Sequence, residues 1–272
     1  MSGMARALVL ACKRFGWRNI KHWEIQMNVF KKAAIGAALA LAFSGAQASL
    51  INVGGVVWDP DSAADFSGTS ATTVQNINSV TGELSGYGVI TILNNTAAAT
   101  FCPGCELTIQ YSGYMPVSAG AVPGVNGGGS SIQYTGGLFN IYVDATPDTN
   151  GGLNMTQANT GDGALWLSLV GHSVGQSLVT LTGFNFYPVF LQGGGLLDVV
   201  GGLAASNIDT NTQADGADIT FSSTFTRFSG SPLNANGTAT FDGNSIPEPA
   251  SLALVGLGLL GAGALRRRKA AK

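Results

Sequence analysis

Residues 217–228 read ADITFSSTFTRF. Successive side chains of an extended chain point to opposite sides, so Ile219, Phe221, Ser223, Phe225 and Arg227 share one face. The pattern is only partly amphipathic, but it has period two and is rich in Thr and Phe, which predicts a strand. Working outward, similar runs recur at Ile51–Trp58, Tyr87–Leu93, Leu107–Tyr111, Ser131–Tyr134, Leu138–Val143, Ala164–Val170, Leu178–Phe186 and Thr238–Phe241. Gly, Asn, Pro and Asp separate them, and no window of about a dozen residues shows a capped helical stripe. These short strands predict an all-β chain, a single β-sandwich of jelly-roll-like kind. Gly127–Gly129 and Gly193–Gly195 read as loops.

The two ends have a different character. From Met27 the chain reads MNVFKKAAIGAALALAFSGAQASL. Lys31 and Lys32 precede an apolar segment from Ala33 to Phe43. Ala46-Gln47-Ala48 then forms an A-x-A cleavage signal that leaves Ser49 first. Residues 27–48 therefore predict a signal peptide read by signal peptidase, and residues 1–26 a start-site extension. At the other end, Pro247-Glu248-Pro249 precedes 16 uncharged residues, Ala250–Leu265, and then Arg266, Arg267, Arg268 and Lys269. As a helix the run spans roughly 24 Å, slightly under a hydrocarbon core of about 30 Å, which suits a transient anchor. The arginines should stay cytoplasmic and the body on the far side of the membrane.

This tail resembles the PEP-CTERM domain, the sorting tag of bacterial surface proteins. The resemblance implies recognition by an exosortase, a membrane protease that cuts near the Pro-Glu-Pro. It also implies a Gram-negative host that makes exopolysaccharide or biofilm matrix. The expected order is the extension (1–26), the signal peptide (27–48), the β-sandwich (49–242), and a linker with the transmembrane sorting helix (243–272).

Removing the two ends changes the charge. The full chain carries 13 Lys+Arg and 15 Asp+Glu. Between Ser49 and Pro249 only Arg227 remains of the cations, while Glu24 is the one acid lost, giving a net charge of about −13. One cation cannot neutralise a phosphate backbone, so nucleic-acid binding is excluded. An acidic polymer would be repelled unless a divalent cation bridged it.

Several motifs suggest chemistry. Gly171-His172-Ser173-Val174-Gly175 matches the nucleophile elbow of hydrolases. No histidine follows Ser173, and the next residues read as strand, so a turn explains it better. Gly256–Gly261 matches G-x-G-x-x-G, but it lies in the tail rather than a βαβ unit. Cys102-Pro103-Gly104-Cys105 is a C-x-x-C pair on turn residues. It lacks the further ligands that zinc needs and the following helix of a redox site. A local disulfide is expected in an oxidising compartment. Asp144, Asp148, Asn150 and Asp162, and separately Asp209, Asn211, Asp215 and Asp218, are weak Ca²⁺ candidates. Neither set matches an EF-hand. Trp58, Trp166 and the six tyrosines could stack on sugars, although core packing is their default.

No catalytic set emerges, and the expected function is not enzymatic. The expectation is an exported cell-surface or biofilm-matrix protein with a structural or adhesive role. The alternative is an exopolysaccharide-binding module, with Ca²⁺ as the one cofactor considered.

Overall fold

The computed structural model describes residues 50–123, 127–128, 131–175, 177–186, 190–228 and 233–246. The strands are β1 (Ile51–Val53), β2 (Val56–Trp58), β3 (Phe66–Ile77), β4 (Leu84–Ile90), β5 (Ile92–Leu93), β6 (Thr96–Ala97), β7 (Glu106–Pro116), β8 (Val122–Pro123), β9 (Gly127–Gly128), β10 (Ser131–Asp144), β11 (Ala164–His172), β12 (Val179–Phe186), β13 (Phe190–Gly201), β14 (Ile219–Arg227) and β15 (Asn234–Gly243). Two single helical turns, α1 (Ala98–Phe101) and α2 (Ala205–Ile208), lie in connections.

The sandwich expectation is overturned. Neighbours pair antiparallel in the order β3, β4, β7, β10, β11, β13, β14, β15, and β15 then pairs with β3, from Gly243↔Phe66 to Asn234↔Asn76. The result is a closed eight-strand up-and-down barrel. Closure leaves no edge along this ring, whereas a sandwich would have two sheets with four edges. β11 and β12 share one position in the ring. β11 pairs with Leu138–Val143 and β12 with Ser131–Thr135 of the same strand, running in the same direction end to end. Gly193–Gly195, expected as a loop, is the middle of β13. The two runs 131–134 and 138–143 are a single strand, β10.

The sequence pattern hid two of the ring strands for a physical reason. β3 reads FSGTSATTVQNI, and its lumen-facing positions include Gly68, Ser70, Thr73 and Gln75. Small and hydroxyl side chains fit here because aromatic residues from other strands fill the lumen. Phe139 lies stacked on Tyr111 at 5.5 Å between ring centroids, with Phe241 at 4.8 Å and Phe221 at 5.7 Å. An eight-strand barrel is just wide enough for side chains to fill. Glycines make the remaining space: a Cβ on Gly137, at φ +97°, would overlap the ring of Tyr114.

The β1–β2 hairpin, turned by Gly54 and Gly55 at positive φ, closes one end of the barrel, the base. Trp58 and Trp166 pack edge to face at 5.7 Å, and Phe66 stacks on Trp166. The Trp166 indole N–H donates to the Val53 carbonyl at 3.0 Å. Cys102 and Cys105 are disulfide-bonded, with Cα atoms 5.1 Å apart. Cys102 joins this core, and a Cβ on Gly55 would lie 3.7 Å from the Cys105 sulfur.

The chain after β15 also returns to the base. The Trp58 indole donates to Ser245 Oγ at 3.1 Å, and Ser245 donates twice to the Asp65 carboxylate, at 3.0 and 2.7 Å. The Ile246 amide donates to the Asn207 carbonyl at 2.7 Å. Residues 243–246, expected as a linker, are thus bonded to the barrel as far as Ile246, and both the start and the end of the described body lie at the base.

Candidate functional site

Pairing register places polar side chains in rows on the outside of the barrel. One row runs Thr182, Gly194, Ser222, Thr240, Thr69 across β12, β13, β14, β15 and β3. The next runs Phe184, Gln192, Thr224, Thr238. Cross-strand neighbours on one face sit within reach of each other, and Ser222 and Thr240 share a hydrogen bond of 2.6 Å. Gly194 has no side chain, so the rows dip there into an open cleft of about 470 Å³. Among the described residues no Lys, Arg, Asp or Glu lines it.

A second hollow of about 280 Å³ adjoins the first and shares Thr182 and Gly194 with it. His172 lies on its wall. The His172 Nδ1 is 2.8 and 2.9 Å from the two oxygens of Asp198. This pair was not legible in the sequence. It forms because β11 and β13 pair in a register that sets Val170 opposite Asp198 and His172 opposite Leu196. Ser173 is exposed beyond the end of β11, and among the described residues no serine or threonine hydroxyl is hydrogen-bonded to His172. The hydrolase-like motif is therefore a strand end and turn.

The lumen offers less room. Its cavity is about 40 Å³ and is lined by Gln75, Tyr111, Tyr114, Tyr134, Ile132 and Leu191 among others. That volume suits a water or two and no sugar-sized ligand. Burial pushes the phenols of Tyr114 and Tyr134 well above their ordinary range. Tyr111 shifts the same way, first through burial and then through its two tyrosine neighbours. Trp58 and Trp166 are also core residues, so the aromatic side chains considered for sugar stacking do not form an outer platform with them.

The first acidic stretch is brought together in part. Asp144 and Asp148 gather with Glu106, their ligand atoms within 4.8 Å of one another. Glu106, which the sequence did not suggest, is buried, and its oxygens accept from the amides of Asp148 and Thr149 at 3.1 and 3.3 Å and from the Thr149 hydroxyl. Asp144 Oδ1 accepts from the Thr146 amide and hydroxyl, both at 2.9 Å. These bonds account for the cluster as a loop clamp. Both Glu106 oxygens and one Asp144 oxygen already accept these hydrogen bonds.

Among the described residues the second stretch forms no carboxylate cluster of metal-ligand spacing. Asp218 is buried, and its carboxylate accepts the amides of Val199, Thr210 and Asn211 at 2.8, 2.7 and 2.6 Å. Asp209 accepts from the Asn211 side chain, and Asp215 sits in a turn at φ +56°. Asp218→Ala leaves three inward amides without their acceptor. We expect a loss of about 3 kcal/mol, read as a lower urea midpoint.

The remaining sites belong to processing. Ala46, Ala48 and Ser49 lie outside the described residues, as do Pro247, Glu248, Pro249, the Ala250–Leu265 run and Arg266–Arg268. Among the described residues no helix is long and apolar enough to cross a membrane. The comparison with family models decides the tail: the PEP-CTERM protein-sorting motif matches residues 245–269. The chain carries a PEP-CTERM sorting motif. The motif makes this an exported protein processed by exosortase and held in the membrane by its C-terminus before cleavage. Its match begins at Ser245, the residue that Asp65 and Trp58 bind at the barrel base. Neither curated proteins nor solved structures give a match to the chain.

Proposed function

We propose that the sorting motif delivers a non-enzymatic barrel to the cell surface or extracellular matrix, where it has a structural and adhesive role. The outer face supports this reading. Over β12–β15 it presents ordered rows of hydroxyl and amide groups, while Tyr111, Phe139, Phe221 and Phe241 are buried in the lumen. That arrangement is the reverse of a membrane barrel, whose outer band is apolar. It favours contact with hydrated surfaces. The net charge of about −13 keeps single barrels apart in solution.

A strain lacking the gene tests the role. It should show weaker surface attachment, flocculation and matrix cohesion, restored by the full chain. Unchanged behaviour in all three would remove the adhesive reading. A narrower reading, attachment through a polysaccharide, is favoured by the uncharged cleft.

A further inference from the structure

We infer that the cleft over β12–β15 binds a neutral polysaccharide chain laid across the strands. This deepens the surface role above and rests on it. Four observations point to that ligand.

The cleft is a built feature of the strand register. Its floor is Gly194, where an added Cβ would meet nothing closer than the Phe221 carbonyl oxygen at 3.6 Å. The residues on either side, Thr182 and Ser222, keep their side chains on the same outer row. Its walls are hydroxyls and an amide: Thr182, Gln192, Ser222, Thr224, Thr238 and Thr240. A hydroxyl both donates and accepts, and an amide offers one of each kind of group, which is what a sugar hydroxyl needs from its partner.

The spacing fits a chain. Adjacent strands lie about 4.8 Å apart, close to the length of a single hexose unit; β12, β14 and β15 offer hydroxyls at these steps and β13 the Gln192 amide. A polymer crossing β12 to β15 would meet the rows in step.

Charge selects a neutral polymer. Among the described residues no cation lines the cleft to hold a carboxylate or sulfate group, and the body from Ser49 to Pro249 carries a net charge of about −13. An anionic glycan would lose its hydration without a compensating charge.

The two ends of the cleft differ usefully. Phe184 is 47% exposed on the wall and places apolar surface at this end of the cleft. Beyond Thr182 the adjoining hollow is walled in part by His172, whose Nδ1 is bonded to Asp198. The Asp198 carboxylate fixes the orientation of the His172 ring on that wall.

The test uses processed protein recovered from the cell exterior, titrated calorimetrically with a linear neutral β-glucan hexamer, dextran and polygalacturonate. Gly194→Gln fills the floor at a position with room for a side chain. Thr224→Ala with Thr238→Ala removes one cross-strand hydroxyl pair. Urea midpoints of both variants verify folding. We expect saturable binding of a neutral glycan, insensitive to chelator, weakened about tenfold or more by either change. Phe184→Ala should weaken it similarly. Binding to polygalacturonate alone, equal binding by wild type and Gly194→Gln, or no neutral glycan bound would each overturn the inference. So would self-association abolished by Gly194→Gln without glycan binding, which would make the face an interface between copies. If glycan binding is absent but the deletion strain still loses attachment, the surface role stands and the cleft assignment falls.

Discussion

Stability should fall steeply above pH 10. Tyr111, Tyr114 and Tyr134 are buried in the lumen wall, and burial raises all three phenols above their ordinary value of 10.0. In the unfolded chain the same groups ionise near 10. Above that pH the folded state holds protons that the unfolded state has lost, so unfolding is favoured as pH rises. The contribution of these groups is fully present below pH 10 and is lost as pH climbs through the raised folded values. Each group costs about 1.4 kcal/mol per pH unit in that window, so the three together remove about 4 kcal/mol by pH 11. Urea midpoints at pH 8 and pH 11 measure this. The Tyr114→Phe, Tyr134→Phe double variant should lose only about a third as much, because one buried phenol remains. Equal midpoints at the two pH values would mean that the phenols are not buried as described.

Phe139→Ala should cost about 4 kcal/mol. Phe139 is 1% exposed and touches the rings of Tyr111, Phe221 and Phe241, contributed by β7, β14 and β15. It therefore links opposite parts of the ring through the lumen. Truncation removes the contact area of one ring and leaves a cavity that rigid antiparallel walls cannot close. Phe139→Leu keeps much of the volume and should cost about half as much. A cost for Phe139→Ala below about 1 kcal/mol would show that the lumen is not packed. The filled barrel would then be wrong.

These two effects rest on residues whose strands were legible, although the closure was not. ADITFSSTFTRF gave β14 its correct inward face, because Phe221 and Phe225 alternate with exposed Ser222 and Thr224. β3 and β13 escaped notice because burial inside a narrow, aromatic-filled barrel calls for small residues. Gly68, Ser70 and Gly193 carry no apolar signal of their own. Without those two strands a ring reads as a sandwich.

The cleft was hidden for the same reason, since its floor is a glycine in an unread strand. The His172–Asp198 pair depends on the register between strands β11 and β13, which no local pattern encodes. Residues 51–58 read as one strand because Val53 and Val56 continue the pattern through Gly54-Gly55, where positive φ turns the chain back. The disulfide was legible because Pro103-Gly104 already enforces the turn that brings the cysteines together. The sorting tail was legible because its three parts act in sequence order and need no tertiary structure.

The most direct test of the account is the intact mass of the protein recovered from outside the cell, before and after reduction. A body beginning at Ser49, ending near Pro249 and gaining two hydrogens on reduction is the predicted result. It would join export, removal of the tail and the Cys102–Cys105 disulfide in one species. A recovered chain that still carries Ala250–Lys272 would contradict it, because the tail would then be a permanent anchor and not a processed sorting signal.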